Sequence, residues 1–255
     1  MQLALVREVS PTIDQCELTH LARTPIDPGR AAAEHRRYVT VLEELGCQVR
    51  WIPPEPALPD AVFVEDTAVV VDEIAVMTRP GAASRRPETA SMAGVLAAYR
   101  RVAAIDTPGT LDGGDVLRVD RVLYVGRSAR TNAEGIAQLA LHLAPYGYQV
   151  RPVETRGCLH LKSAVTEVAQ QTLLLNPDWI DAQAFGHLAL IEVDPDEPQA
   201  ANALRIGGVA VHAAAWQRTR ARLEQQGIRV IPVDVSELAK AEAGVSCCSV
   251  ILESS

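Results

Sequence analysis

The chain has 255 residues, of which 48% are apolar and 22% charged, and its formal net charge at pH 7 is −8. This composition is typical of a globular protein that buries a substantial core, and it excludes a disordered or fibrous chain. The acidic balance argues against a nucleic-acid partner, which would require clustered lysine and arginine.

The distribution of cysteines and apolar residues argues against three further classes. Five cysteines at irregular spacing form neither a disulfide framework nor a CxxC zinc pair. No segment approaches the ~20 consecutive apolar residues that a membrane span requires. The first residues also lack the basic and apolar regions of a secretion signal. We therefore expect a cytoplasmic protein that does not bind membranes.

The predicted elements begin with strands wherever β-branched residues alternate or run together. These segments are 2–8, 48–53, 62–71, 74–79, 115–119, 122–126, 148–153, 188–193, 203–206, 208–212, 229–233 and 247–252. Helical spacing of apolar residues predicts helices at 31–45, 88–100, 132–143 and 215–226, with a short one near 178–184.

These elements repeat in order. A pair of strands, a helix and a third strand recur about every 50 residues, a spacing typical of propellers and arrays. The leftover segments make a fifth round if 247–252 pairs with 2–8, and this closure would remove exposed sheet edges. An open α/β sheet is the alternative. Because no linker interrupts the pattern, we expect residues 1–255 to form a single domain.

Two residue contexts point to nucleophilic chemistry. Cys247 and Cys248 are adjacent, and adjacent cysteines close a mutual disulfide only under strain. On a strand their side chains would face opposite ways, so one thiol could be core while the other lines the axis. His160, between two leucines, is the best candidate for a general acid and base, because its unperturbed pKa lies near neutrality. Each residue alone would equally fit a buried core position.

Acidic residues crowd two places in the chain. Asp112 and Asp115 surround a glycine pair, and Asp60, Glu65 and Asp66 surround a short apolar run. A hairpin turn and a solvated strand end are the structural interpretations. The functional interpretation of the first place is that glycine lets the backbone bend and bring a carboxylate close to a ligand. That of the second place is that its carboxylates receive a guanidinium, whose planar fork matches carboxylates.

Two arginines could supply the opposite charge. Arg85 and Arg130 lie in polar turns and would suit the carboxylate of a ligand. Individually, each would also fit an ordinary surface position.

Taken together, these segments resemble the dimethylarginine dimethylaminohydrolases, members of the pentein or guanidine-modifying superfamily. The matching segments span nearly the whole chain: Phe63-Val64-Glu65-Asp66, Thr78-Arg79-Pro80-Gly81-Ala82, Ser84-Arg85-Arg86, Leu111-Asp112-Gly113-Gly114-Asp115, Ser128-Ala129-Arg130-Thr131-Asn132, Leu159-His160-Leu161-Lys162, Ala200-Ala201-Asn202 and Cys247-Cys248-Ser249. The resemblance implies an α/β fold that is a five-bladed propeller of pseudo-five-fold ββαβ repeats, closed by the N- and C-terminal strands.

The resemblance also implies an activity. This is hydrolysis of Nω,Nω-dimethyl-L-arginine, or of Nω-methyl-L-arginine, to L-citrulline and dimethylamine or methylamine through a covalent S-alkylthiouronium on cysteine. A methylated arginine is then the small-molecule partner, and no metal or organic cofactor is expected. Zinc captured by Cys247 and His160 would inhibit. Both a monomer and a homodimer remain open.

The family pattern implies a role for each site residue. Cys247 is the nucleophile, His160 the general acid and base, and Asp112 occupies the catalytic acid position, with Asp115 as a competing assignment. The substrate positions are Leu18 through its carbonyl, Asp60, Glu65, Asp66, Arg85, Arg130 and the carbonyl of Ala241.

The selectivity of the site stays open at this point. The segment 13–21, which is expected to form a lid, matches the family weakly beyond Leu18. One alternative activity is hydrolysis of another guanidino or ureido compound such as arginine or citrulline, although arginine deiminases carry a helical insertion for which 255 residues leave no room. A non-catalytic pentein that binds a macromolecule is a further alternative, but such a protein need not retain the cysteine, histidine and acids together.

Overall fold

A computed structural model of the chain describes residues 2–253. Met1, Ser254 and Ser255, which the single-domain prediction includes, lie outside the described residues. The strands are β1 (Gln2–Val6), β2 (Gln48–Trp51), β3 (Ala68–Val70), β4 (Ile74–Met77), β5 (Arg101–Ala104), β6 (Val116–Val119), β7 (Val122–Arg127), β8 (Gln149–Glu154), β9 (Val165–Ala169), β10 (Thr172–Leu175), β11 (Ala189–Glu192), β12 (Ala203–Ile206), β13 (Val209–Ala213), β14 (Arg229–Val233) and β15 (Val250–Glu253). The helices are α1 (Pro28–Glu44), α2 (Glu88–Leu96), α3 (Ala133–Leu143), α4 (Leu161–Ala164) and α5 (Gln217–Gln225).

The strands form five three-stranded sheets, and each sheet is one blade of a ring. In every blade the first two strands are antiparallel and the third runs parallel to the second. The blades are β3-β4-β5, β6-β7-β8, β9-β10-β11, β12-β13-β14 and β15-β1-β2. The prediction of a five-bladed α/β propeller is confirmed, including the pairing of the first strand with the last, in which Gln2 lies opposite Glu253.

The crossover helices begin and end where the sequence provides caps. The Asp27 carboxylate accepts hydrogen bonds from the first amides of α1, and the Asn132 side chain accepts one at the start of α3. Gly147 and Gly227 have positive φ, the conformation that follows a helix C-terminus most readily in glycine. In the blade β9-β10-β11 the crossover is only a 3-10 turn, Ala182–Phe185. Among the helices of residues 2–253, none is both long and apolar enough to cross a bilayer.

Two predicted strands begin later than the sequence suggested. The segment 62–71 is a strand only from Ala68, because Val64–Thr67 forms a 3-10 turn in which the Thr67 hydroxyl donates to the Val64 carbonyl. The segment 247–252 is a strand only from Val250, since Cys247 and Cys248 lie in a turn. The argument that the two thiols alternate along a strand was therefore wrong.

The first strand of each blade lies at the centre of the ring. These five strands, β3, β6, β9, β12 and β15, line a central cavity of about 440 Å³. Because the blades share one topology around a closed ring, the turns that precede these five strands meet at one end of the molecule.

Candidate active site

The turns that precede the five inner strands carry the polar residues of the site. Asp66 precedes β3, Asp112 precedes β6, His160 precedes β9, Asn202 precedes β12 and Cys247 precedes β15. Each blade therefore contributes one residue from the equivalent position. Asn202 was not among the predicted site residues, although its position in the repeat was a signal that could have identified it.

These turns surround a second cavity, of about 610 Å³. Its lining includes His160, Glu65 and Cys247, and the lid segment (13–21) contributes His20 and Leu21. The Cys247 side chain is half-buried, whereas Cys248 is 1% exposed and packs in the core behind the site. Of the two adjacent thiols, Cys247 is therefore the one that can meet a molecule in this cavity.

His160 is held between carboxylates. Its Nε2 lies 3.0 Å from Asp112 Oδ2, and its Nδ1 lies 3.9 Å from Asp66 Oδ1. Burial alone would lower the pKa of this imidazole, but Asp66, the hydrogen bond to Asp112 and the charge of Asp115 together raise it to about 9. The imidazole is therefore protonated at neutral pH and can act as an acid.

The carboxylates beside His160 are fixed by other contacts. Asp112 Oδ1 accepts a hydrogen bond from the Gly81 amide at 2.8 Å, and Asp66 Oδ1 accepts one from the Gly114 amide at 2.8 Å. Burial opposes ionisation of Asp66, but His160 and an arginine hold its pKa well below the usual range. Asp66 therefore stays negatively charged.

Gly113 and Gly114, between Asp112 and Asp115, are required because other groups lie very close to their backbone. A Cβ at Gly113 would lie 1.9 Å from the Glu65 carbonyl oxygen, and one at Gly114 would lie 2.6 Å from His160 Nδ1. Neither glycine has positive φ, so the backbone conformation does not require glycine here. Glycine is required because there is no space for a side chain.

Asp115 has a structural role. Its Oδ1 accepts from the Leu161 amide at 2.9 Å, and its Oδ2 accepts from the hydroxyls of Ser128 and Thr131 at 2.6 Å each. It therefore anchors the turn that follows His160. Of the two competing aspartates, Asp112 is the one that contacts the imidazole.

The Cys247 thiol lies in an environment that disfavours its anion. Burial, together with the charges of Glu65 and Asp66, raises its pKa to about 12. The Gly244 amide, 3.3 Å from Sγ, is a donor that opposes this trend. The thiol is therefore protonated in the free protein at neutral pH.

Glu65 belongs to a network beside Cys247. Its Oε1 lies 2.5 Å from the Lys162 ammonium, and its Oε2 accepts from the Ser246 hydroxyl at 2.8 Å. The Asn202 amide nitrogen donates to the Lys162 carbonyl and to the Ser246 hydroxyl, and its oxygen accepts from the Ser246 amide. Sequence reasoning missed Lys162 and Ser246 as site residues, because their role depends on contacts between distant blades.

Arg85 is engaged within the protein. Its Nη1 lies 2.6 Å from Asp66 Oδ2, and its Nε and Nη2 contact the Glu88 carboxylate at 3.1 and 2.9 Å. Nη2 also donates to the Phe63 carbonyl at 3.2 Å. Arg85 therefore orients Asp66, and its predicted contact with a ligand carboxylate stays a prediction.

Arg130 differs from Arg85 because part of it is unpaired. Its Nη2 donates to the Thr19 hydroxyl at 2.9 Å, and Nη1 lies 3.6 Å from Asp112 Oδ2. Within residues 2–253, Nη1 is buried and has no hydrogen-bond partner. A buried guanidinium with an unused donor is suited to binding an anionic group.

The remaining predicted substrate positions lie around the lid segment. Asp60 is buried, and its Oδ2 accepts from the Glu17 amide at 3.1 Å. Leu18 is half-buried on the core, and Ala241 is buried in the 3-10 turn Leu238–Ala241. In the part of the chain that the structure describes, neither the Leu18 nor the Ala241 carbonyl accepts a hydrogen bond, and their contact with a ligand stays a prediction.

Asp66, Asp112 and His160 could in principle hold a metal, since one ligand atom from each lies within 4.8 Å of the others. Their hydrogen bonds to Arg85, Gly114 and Gly81 already use several of these oxygens. The prediction that no metal takes part stays a prediction.

Comparison with known proteins places this geometry in a family. The sequence profile of the family described as eukaryotic N,N dimethylarginine dimethylhydrolase matches residues 23–253. The N(G),N(G)-dimethylarginine dimethylaminohydrolase of Streptomyces coelicolor is 38% identical over 262 residues, covering 98% of this chain and 96% of the relative. The enzyme of the same name from Pseudomonas aeruginosa is 34% identical over 239 residues, covering 93% of each chain.

The fold agrees with this assignment. A crystal structure of the Pseudomonas aeruginosa enzyme, a cysteine-to-serine variant in complex with citrulline, superposes with a TM-score of 0.93 at 32% identity, covering 98% of each chain. The likeness spans the whole ring. The chain belongs to the dimethylarginine dimethylaminohydrolase family.

Proposed function

We propose that this protein hydrolyses Nω,Nω-dimethyl-L-arginine, and Nω-methyl-L-arginine, to L-citrulline and the corresponding amine. The observation that carries the proposal is one cavity that holds a half-buried thiol, Cys247, and a buried imidazole, His160, whose Nε2 is 3.0 Å from Asp112. The names of the two bacterial relatives and the citrulline bound in one of them support the same chemistry.

The first step forms a covalent intermediate. A guanidinium bound beside the carboxylates of Glu65 and Asp66 places a positive charge near the thiol, which lowers the thiol pKa from its value of about 12 in the free protein. The thiol proton passes to solvent, and the Cys247 thiolate attacks the guanidinium carbon to form a C–S bond. His160 then protonates the departing dimethylamine as its C–N bond breaks, leaving an S-alkylthiouronium.

The second step uses the same imidazole as a base. After it has lost its proton to the amine, neutral His160 accepts a proton from the attacking water. The new C–O bond forms and the C–S bond breaks, so L-citrulline is released, and the second proton lost by the tetrahedral adduct restores the Cys247 thiol. The buried Asp112 keeps the imidazole oriented in both steps.

The rest of the substrate is held by opposite charges. The unused Nη1 of Arg130 suits the α-carboxylate, with Arg85 as the second predicted contact. The Asp60 carboxylate and the free Leu18 and Ala241 carbonyls suit the α-ammonium group and the guanidinium N–H groups. The cavity volume of about 610 Å³ lies in the range of small-molecule sites.

A substrate panel tests the activity. Dimethylarginine, monomethylarginine, arginine and agmatine are compared by citrulline or ureido product and by amine release. We expect kcat/KM to be highest for the methylated arginines, and a higher value for arginine would overturn the specific assignment while leaving the mechanism.

Three variants and a covalent label test the mechanism. Cys247→Ser should abolish turnover, whereas the matched Cys248→Ala should retain it because Cys248 faces the core. His160→Ala should lower kcat by about 10²–10⁴-fold. A haloacetamidine should label Cys247; labelling at Cys248 with Cys247 free would refute the assignment of the nucleophile.

We further propose that the chain acts as one catalytic domain, since every blade contributes to the site.

The five free cysteines are compatible with a reducing compartment, which supports a cytoplasmic location. Size-exclusion chromatography with light scattering distinguishes a monomer from a homodimer, and metal analysis of active enzyme tests whether a cofactor is absent.

A further inference from the structure

The lid segment (13–21) is attached to the 3-10 turn beside the nucleophile by a single side chain. The Glu242 carboxylate accepts hydrogen bonds from the successive amides of Thr19, His20 and Leu21, at 2.9, 2.5 and 2.5 Å. Three donors on one carboxylate are unusual for a surface position, because each would otherwise be satisfied by water. His20, Leu21 and Glu242 all line the cavity that contains Cys247.

The backbone of Glu242 provides a second, independent observation. Its φ is +59°, in the left-handed region that glycine and asparagine adopt far more readily than glutamate. A glutamate that keeps this conformation despite its cost suggests that its side chain has a role. The residue also follows Ala241, whose carbonyl is a predicted substrate contact.

The contacts of the lid segment show what this attachment would control. The segment also contacts two predicted substrate residues, through the Glu17 amide on Asp60 and the Thr19 hydroxyl on Arg130. These contacts depend on groups that the substrate is expected to use. The Glu242 contacts do not, so they can hold the lid closed while the substrate occupies Asp60 and Arg130.

We propose that Glu242 is a positioning residue that holds the lid segment closed over the bound substrate, and so sets how tightly substrate is retained. Its carboxylate oxygens accept from the three lid amides, so the residue acts through the lid segment and not on the reacting atoms. The kinetic part of this proposal rests on the proposed function, whereas the structural part, protection of the three lid amides, is independent of any activity.

The test compares Glu242→Gly with the wild-type enzyme. Glycine adopts the left-handed conformation without strain, so the variant removes the carboxylate and should have a Tm no lower than wild type. The matched control is Gln171→Gly, which makes the same change at another left-handed residue (φ +52°), in the turn between β9 and β10. Glu242→Gln, which keeps one acceptor oxygen, should give an intermediate result.

Two measurements are made on these proteins. We expect hydrogen exchange at the amides of residues 19–21 to accelerate in Glu242→Gly and not in Gln171→Gly, and trypsin to cleave faster after the neighbouring Arg23. We expect KM for dimethylarginine to rise about tenfold or more, with a smaller change in kcat. The closed lid would lose stabilisation comparable to about one hydrogen bond to a charged group.

The outcomes separate the two claims. Unchanged exchange at residues 19–21 in Glu242→Gly would overturn the positioning role, whatever the substrate proves to be. Faster exchange with unchanged KM would overturn the role in substrate retention. If the wild type turned over none of the methylated arginines, the proposed function would fail, and the exchange measurement would still decide whether Glu242 holds the lid.

Discussion

The protonation state of the Cys247 thiol gives the sharpest prediction. Burial and the charges of Glu65 and Asp66 raise its pKa to about 12, so the thiolate fraction at pH 8 is about 10⁻⁴. In Glu65→Gln, one of these negative charges is removed, and the Lys162 ammonium, 2.5 Å from the glutamate, loses its partner. Both changes favour the thiolate, so the pKa should fall by about one unit or more.

The expected size of the effect follows from two opposing terms. A fall of one unit raises the thiolate fraction about tenfold, while the intrinsic nucleophilicity of the thiolate drops about threefold because it is a weaker base. Alkylation of Cys247 by neutral iodoacetamide at pH 8 should therefore be about threefold faster in Glu65→Gln. Turnover of dimethylarginine should move in the opposite direction, since the guanidinium loses a carboxylate.

The assay is the rate of iodoacetamide labelling of the peptide that contains Cys247, measured by mass spectrometry from pH 7 to pH 11. A wider opening of the cavity would raise the rate by the same factor at every pH, whereas with a lower pKa the ratio of the two rates should shrink above about pH 10, where the thiolate fraction of the variant begins to saturate. Glu167→Gln removes a carboxylate paired with Arg205 at 2.8 Å on the central channel and should leave the profile unchanged. Equal or slower labelling of Cys247 in Glu65→Gln would refute the electrostatic account.

Three further predictions follow from buried groups. Burial lowers the pKa of His35 to about 4, whereas in the unfolded state it has its usual value near 6.5, so the folded state binds this proton less readily. The folded state should therefore lose up to about 3 kcal/mol of stability as the pH falls from 6.5 to 4. Urea unfolding at pH 7 and pH 4.5 should show this loss reduced in His35→Gln, and an identical loss in both proteins would contradict it. Gly113→Ala should prevent folding or abolish activity, because its Cβ would lie 1.9 Å from a carbonyl oxygen. The control Gly94→Ala, in open space within α2, should stabilise the protein by about 0.5–1 kcal/mol in thermal unfolding. An active and stable Gly113→Ala protein would show that the turn can move. Asp112→Asn removes the hydrogen-bonded anion from His160, so the imidazole pKa should fall from about 9 by about one to three units. NMR titration should show this fall, and kcat/KM should decline at a lower pH on the alkaline side. An unshifted titration would mean that Asp66 alone sets the pKa.

The five-bladed architecture could be predicted because the order of strands and helices repeats along the chain. The bounds of single elements were less accurate where contacts between distant segments override local preference. The run Val62-Phe63-Val64 has the composition of a strand, yet its backbone follows a turn whose carbonyls and amides bond to Arg85 and Cys247. Such bonds between distant segments leave no periodic trace in the sequence.

The same distinction holds for the site. Cys247, His160 and Asp112 could be singled out from unusual local contexts and from a family pattern. The partner of Arg85 could have been suspected from the spacing to Glu88, three residues on. Glu242 could not have been found in this way, because its partners lie 221 to 223 residues earlier in the chain.

The pairing of β1 with β15 has a consequence for biosynthesis. Because a polypeptide is made from its N-terminus, Cys247 and β15 emerge after the other fourteen strands of residues 2–253. The first strand, β1, therefore has no antiparallel neighbour until synthesis is nearly complete. A nascent chain can thus fold its middle blades before Cys247, the proposed nucleophile, has been made. The same last segment completes both the ring and the proposed site, so we expect a product that lacks residues 247–253 to be inactive.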